Sequence, residues 1–199
     1  IIFGADTLIN AGVRDIFIVK YNSNGNVLWA KGVGGANYDE GYYITTDVSG
    51  NIYVTGYFRS SSITFGSFTL NNVGIDDIFV AKYDTNGNQW WVARYNGTGD
   101  QADVAYAITT DSQDNVYVAG KSYGNGTSYD YATVKYDTNG NQWWVARYNG
   151  PGNGVDDASA LAIDSQANVY VTGASEGNGT YSDYATIKYD TWGNQLWEK

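Results

Sequence analysis

The stretch Asp84-Thr-Asn-Gly-Asn-Gln-Trp-Trp-Val-Ala-Arg-Tyr-Asn96 recurs unchanged as Asp137–Asn149. Degenerate copies of its first five residues stand at Asn22–Asn26 and Asp190–Asn194. The lysine two residues before each copy is Lys20, Lys82, Lys135 and Lys188, spaced by 62, 53 and 53 residues. The chain is therefore an array of one repeated unit, and that reading outweighs any single local motif.

The copy from Val104 to Tyr148 shows what the unit is. Val104–Thr110, Val116–Lys121, Tyr131–Tyr136 and Gln142–Tyr148 are short runs of β-branched and aromatic residues with period two. Gly, Asn and Asp clusters bound them. These are strands A, B, C and D of one antiparallel sheet, and no segment is long enough to favour helix. Asp-x-x-Gly-Asn suits the tight turns. Asp accepts backbone N–H groups, and Gly supplies positive φ in a type I turn followed by a bulge. In the A–B turns Asp111–Asn115 and Asp164–Asn168 the glycine is replaced by Asp114 and Ala167, so the left-handed position is costlier there.

Such a unit reads as a propeller blade, and the chain as all-β, with four-stranded antiparallel blades numbering about three and a half. A partial blade covers 1–31. A blade with an extra B–C hairpin, Ile63–Leu70, covers 41–95. Two further blades cover 103–148 and 156–199. Ile1–Leu8 matches Ile63–Leu70 at an offset of 62. Antiparallel order places the A–B and C–D turns on one face and the B–C and D–A loops on the other. The second face carries the variable loops Asn96–Asp103, Asn149–Asp157, Ser122–Tyr129 and Ala174–Asp183, and function is expected there.

Composition narrows the chemistry. There is no Cys and no His, which excludes disulfides, thiolate or imidazole metal sites and Ser-His-Asp or Cys-His catalysts. Glutamate occurs only at Glu40, Glu176 and Glu198, so an acid–base pair would be built from Asp. A net charge of −10 makes nucleic acid and anionic membranes poor partners. No apolar run approaches the ~20 residues of a membrane span. No signal peptide is visible, and the chain holds no Met, so Ile1 is not read as the translational start. Nineteen Tyr and 25 Gly beside 16% charged residues suggest an extracellular, secreted or cell-surface β-protein.

The pattern Asp77/Lys82/Tyr83, Gly87/Asn88/Trp91 and Asp111/Asn115/Val116/Tyr117/Val118/Gly120, with further copies at Asp130/Lys135/Tyr136 and Asp183/Lys188/Tyr189, resembles the bacterial seven-bladed β-propeller repeat family. The resemblance covers nearly the whole chain. It implies the propeller fold and a secreted or surface-attached protein, and it brings no catalytic signature. The departure is in blade number, about half a typical ring.

Repetition also sorts the candidate sites. Asp-x4-Lys recurs at Asp15/Lys20, Asp77/Lys82, Asp130/Lys135 and Asp183/Lys188, which favours a blade-to-blade contact over a ligand site. Trp29, Trp91, Trp144 and Trp197 hold one place in every unit and read as packing between blades, not sugar platforms. Trp90 and Trp143 exchange with Leu28 and Leu196, which also reads as packing. The Asp-Thr-Asn-Gly-Asn turns have too few acids for an EF-hand loop.

Asp100, Asp103, Asp156 and Asp157, with Asp39 and Glu40, lie on the D–A loops as candidate Ca²⁺ ligands or as strand caps and solubilising charge. Tyr123, Tyr129, Tyr181 and Tyr184 sit among small polar residues as adaptable recognition loops or as ordinary loop tyrosines. Asn96, Asn125 and Asn178 head N-glycosylation sequons, bare in most bacteria.

The function expected from these readings is a non-catalytic structural or adhesive scaffold. The alternative is a glycan-binding or Ca²⁺-dependent module. Three and a half blades leave sheet edges open, so protein partners or self-association are expected, with Ile1–Leu8 and Asn194–Lys199 at the contact, or else these residues are a segment of a longer propeller chain.

Overall fold

The structure is a computed structural model and describes residues 1–179 and 181–199. Every regular element among them is a β-strand. A short hairpin pairs β1 (Ile2–Phe3) with β2 (Asp6–Thr7), and a two-stranded sheet pairs β3 (Ile16–Tyr21) with β4 (Val27–Val33). The first four-stranded sheet holds β5 (Asp39–Thr46), β6 (Ile52–Phe58), β9 (Asp77–Tyr83) and β10 (Gln89–Tyr95). Between β6 and β9 the hairpin β7 (Ser62–Phe65) and β8 (Phe68–Asn71) is inserted. The second sheet runs β11 (Asp103–Thr110), β12 (Val116–Tyr123), β13 (Tyr129–Tyr136) and β14 (Gln142–Tyr148). The third runs β15 (Asp157–Ile163), β16 (Val169–Glu176), β17 (Ser182–Tyr189) and β18 (Gln195–Glu198). All pairings within the sheets are antiparallel.

Successive sheets pack face to face, with β11 against β5 and β6, and β15 against β11 and β12. Strand periodicity divides each sheet between two cores. In β9, Ile78 and Val80 join Tyr53 and Trp91 in a core shared with Val116, Val118 and Val134 of the next sheet. Phe79, Ala81 and Tyr83 of the same strand turn the other way, onto Ile16, Ile18 and Phe65. A third core lies between the last two sheets, around Tyr117, Val169, Val171 and Ile187. Burial on both faces explains why the middle strands are apolar at nearly every position.

A recurrent bulge sets each inner strand. The register slips between Gly41 and Tyr43, Ala105 and Ala107, and Ala158 and Ala160. The facing glycines are Gly56, Gly120 and Gly173, where a Cβ would run into the carbonyls of Glu40, Val104 and Asp157. That bulge is the physical basis of the glycine that ends each Tyr-Val-x-Gly.

The B–C loops are shorter than the sequence suggests. Tyr123 and Tyr129 face each other as the last pair of β12 and β13, with rings 5.2 Å apart and edge-on. This pairing carries both strands past Lys121 and Tyr131 and leaves a loop of residues 124–128 only.

Candidate functional site

The loop face is built on a buried carboxylate. Asp39, Asp103 and Asp156 occupy equivalent positions and are buried. Asp39 accepts the Gly35 N–H at 2.7 Å and the Ser60 hydroxyl at 2.7 Å. Asp103 accepts the Gly97 N–H at 2.6 Å, and Asp156 accepts the Gly150 N–H at 2.7 Å. Gly97 and Gly150 are required because a Cβ would collide with Ser122 and Asp103, or with Ser175 and Asp156. Each carboxylate thus closes its own D–A loop. Burial pushes the Asp103 carboxyl up to about 6, against the pull of the Gly97 amide.

This placement separates the candidate Ca²⁺ ligands. Asp103 and Asp156 are spent inside their loops. Asp100, at φ +47°, accepts the Asn96 amide at 2.7 Å. Its counterpart Asn153, at φ +51°, does the same for Asn149, so the position needs a turn former and not a charge. Asp157 faces Lys121 at 3.4 Å across the blade boundary. Among the described residues no three such side chains gather closely enough to hold a metal ion.

The repeated Asp-x4-Lys divides its labour. Five residues of strand separate the two groups by roughly 17 Å, too far for an ion pair. Asp77 pairs instead with Arg94 at 2.6 Å, and Asp130 with Arg147 at 2.9 Å, both within one blade. Two of the lysines cross to the next blade. Lys20 donates to the Thr85 carbonyl at 2.7 Å, and Lys135 to that of Thr191 at 3.5 Å.

On the turn face the repeat is nearly literal. Asp84 accepts the N–H groups of Asn86 and Asn88 at 2.8 Å and the Asn88 amide at 2.8 Å; Asp47, Asp111, Asp137, Asp164 and Asp190 repeat the scheme. The Asn168 side-chain hydrogen bond holds Asp164 down to about 2. Each inward tryptophan reaches the next blade: Trp29 Nε1 donates to Thr85, Trp91 to Thr138 and Trp144 to Thr191, at 3.3, 3.0 and 3.2 Å.

Trp90 and Trp143 correct the sequence reading. Each is 53% exposed, as are Leu28 and Leu196 to 54% and 52%. Trp90 is the extra residue where the register slips between Gln89 and Trp91, so it turns outward. It covers the Lys82 ammonium, 4.7 Å from its ring centre, and Trp143 covers Lys135 at 4.6 Å. Beside Trp90 a cleft of about 670 Å³ opens on the turn face, where no function was expected, and one of about 470 Å³ opens between the A–B turns of the last two sheets.

Of the loop tyrosines, Tyr123 and Tyr129 pack on each other at strand ends, with Lys121 over Tyr129. Tyr181 is 95% exposed on its loop; Tyr184 lies not in the loop but in β17, paired with Ala174 at the position of Tyr131, and is 88% exposed. Among the sequon asparagines, Asn96 is engaged with Asp100, while Asn125 and Asn178 are exposed. Thr180, which completes the Asn178 sequon, lies outside the described residues. No helix among the described residues is long and apolar enough to cross a membrane.

The fold and its repeat chemistry define a β-propeller repeat array. The family model for the β-propeller repeat matches residues 91–126, from β10 across the D–A loop into β12. An uncharacterized WD repeat-containing protein of Acanthamoeba polyphaga mimivirus is 32% identical over 152 residues, covering 65% of this chain and 11% of that protein. The regulatory protein FlaEY of Caulobacter vibrioides is 29% identical over 114 residues, covering 56% of this chain and 12% of that protein. The chain thus spans about a tenth of the length of these curated relatives.

Proposed function

We propose that the array is a non-catalytic scaffold, working outside the cell, that holds protein partners on its loop face. One observation carries this reading. The repeated carboxylates are engaged, Asp84, Asp137 and Asp190 in turns and Asp39, Asp103 and Asp156 in loop closures, whereas Tyr181 stands almost fully exposed on the last B–C loop. Tyrosine offers a large amphipathic contact with little conformational entropy to lose. A WD repeat-containing protein and a regulatory protein among the relatives are in keeping with interaction rather than turnover. The lack of His and Cys removes the common nucleophile–base pairs. The extracellular setting rests on the composition.

The test is a photo-crosslinking amino acid placed at position 181, and separately at Phe68 on the inserted hairpin, in the native host. A discrete protein adduct at 181 and not at 68, with the chain recovered from the cell surface or medium, is expected. Adducts at neither position, or hydrolytic turnover abolished by mutating one aspartate pair, would sink the reading.

A second reading, self-association, has its own observation. An apolar cleft of about 170 Å³ lies between β3 and β5, lined by Ile16, Ile18, Tyr43, Ile44 and Val54, with Phe17 and Ile44 56% and 60% exposed. Among the described residues β3 pairs in its sheet with β4 alone, and a strand edge of this kind can take a second partner. Sedimentation that stays monomeric at high concentration would exclude it.

A further inference from the structure

The turn face holds a second kind of surface. The cleft of about 670 Å³ between the first and second four-stranded sheets is lined by Ser49, Lys82, Trp90, Asp114, Thr138 and Asn139, among others. The cleft of about 470 Å³ between the second and third sheets takes in Ser112, Gln113, Ala167 and Thr191. The two share the repeat positions of Thr138 and Thr191 and of Asp114 and Ala167, but the second is walled by A–B turns and by neither Trp143 nor Lys135. Both volumes fall in the ~300–1,000 Å³ range of small-ligand sites.

The walls of the first cleft combine one aromatic surface with hydrogen-bonding groups that the fold leaves free. Trp90 is half exposed, and the Lys82 ammonium shields one side of it. Among the described residues, the Ser49 and Thr138 hydroxyls, the Asn139 amide and the Lys82 ammonium donate to no protein acceptor, although Asp47 and Asp137 in the same turns are fully engaged. Lys82 faces compensating negative charge from Asp47 and Asp114, so the cleft offers an anion no net attraction. The walls are too polar for a lipid.

An aromatic face flanked by neutral donors and acceptors matches a sugar ring, which presents apolar C–H patches and hydroxyls together. In the second blade pair Trp143 holds the place of Trp90 and covers Lys135 in the same way. At the preceding boundary Leu28 stands there instead, and Lys20 is bound to the Thr85 carbonyl.

We propose that the cleft between the first and second four-stranded sheets binds neutral oligosaccharide, with Trp90 as its stacking wall and Ser49, Thr138 and Asn139 as hydroxyl partners. The site lies on the face opposite the one assigned to protein partners and stands or falls independently of that reading.

The experiment titrates the folded chain with cello-, xylo-, manno-, malto- and chitotetraose, reading tryptophan fluorescence and the indole N–H resonances. At least one sugar is expected to bind saturably and to shift the Trp90 signal. Trp90→Leu, which copies the residue found at the preceding boundary and so spares the fold, is expected to weaken binding at least tenfold, and Trp143→Leu, outside the cleft, to leave it unchanged. Sialylated or sulfated tetrasaccharides are expected to bind no better. The proposal is overturned if no neutral sugar shifts these signals at about 10 mM, past any useful affinity. It is equally overturned if Trp90→Leu binds as tightly as the parent chain, or if an anionic sugar is preferred.

Discussion

Gly140 on the turn face and Gly126 on the loop face both hold strongly positive φ, +83° and +90°. Their surroundings differ completely. A Cβ on Gly140 would sit 2.6 Å from the Trp91 ring of the preceding blade, whereas a Cβ on Gly126 meets nothing within 4 Å. Gly87 and Gly193 repeat the first situation under Trp29 and Trp144. On the turn face, then, local backbone conformation and blade-to-blade packing are fixed by the same residue. At Gly126 the backbone conformation is met locally and the space above it is open. The turn glycines staple one blade to the next, and the tip of this B–C loop is left free to vary.

The sharpest way to break this contrast is to remove a staple. Trp91→Ala deletes a core side chain and its bond to the Thr138 carbonyl, and is expected to cost about 3–5 kcal/mol in urea unfolding. Tyr181→Ala on the loop face is expected to change stability by less than ~0.5 kcal/mol. Similar losses at the two sites would mean that the loop face is as constrained as the turn face.

The glycines give the next largest effect. Gly140→Ala combines a left-handed alanine with a clash against Trp91, for about 2–4 kcal/mol in thermal or urea unfolding. Gly126→Ala has only the first term, about 1 kcal/mol. Equal costs would show that the Trp91 ring moves aside freely.

Much of this was legible in the sequence, for a physical reason. Period-two runs and Asp-x-x-Gly-Asn turns are local, and four copies allowed each to be checked against the others. The inserted hairpin was visible because Ile1–Leu8 repeats it, down to Gly4 and Gly66 at φ +59° and +58°. What escaped depends on register. Trp90 looked like a packing residue until the bulge at Gln89/Trp91 turned it outward. The loop-closing role of Asp103 and Asp156 depends on the folded loop bringing the Gly97 and Gly150 amides back onto them. The available signal was a glycine six residues before each aspartate, Gly97 and Gly150. The turn-face clefts arise between blades, and no single repeat encodes them.

A pH titration separates the faces by sign. Asp103 keeps its proton up to about 6 in the fold, while an unfolded Asp titrates near ~3.9. Between those values the folded chain holds a proton the unfolded chain has lost. Stability therefore falls as pH rises from about 4 to 6, by on the order of 2 kcal/mol. The turn carboxylates act in the opposite direction. Asp164 is held down to about 2, so its contribution is present above ~4 and lost as pH falls through 2. Asp103→Asn is expected to flatten the upper limb and leave the acid limb intact. An unchanged upper limb would show that another group carries it.

The smallest expected effect lies within the turn face itself. Ala167 stands at φ +60° in the A–B turn of the last blade, where the first four-stranded blade has Gly50 at φ +80°. A left-handed alanine costs about 1–2 kcal/mol, and glycine gives back ~0.4–1 kcal/mol of that through the greater freedom of the unfolded chain. Ala167→Gly is thus expected to stabilise by about 0.5 kcal/mol, read as a rise in the urea midpoint at constant slope. Asp114, at φ +62° in the blade between, is a residue that tolerates this conformation, so Asp114→Gly is expected to gain less. A loss of stability in Ala167→Gly would mean that the alanine methyl packs usefully at the edge of its cleft. The turn would then be selected by the space between blades and not by its own backbone.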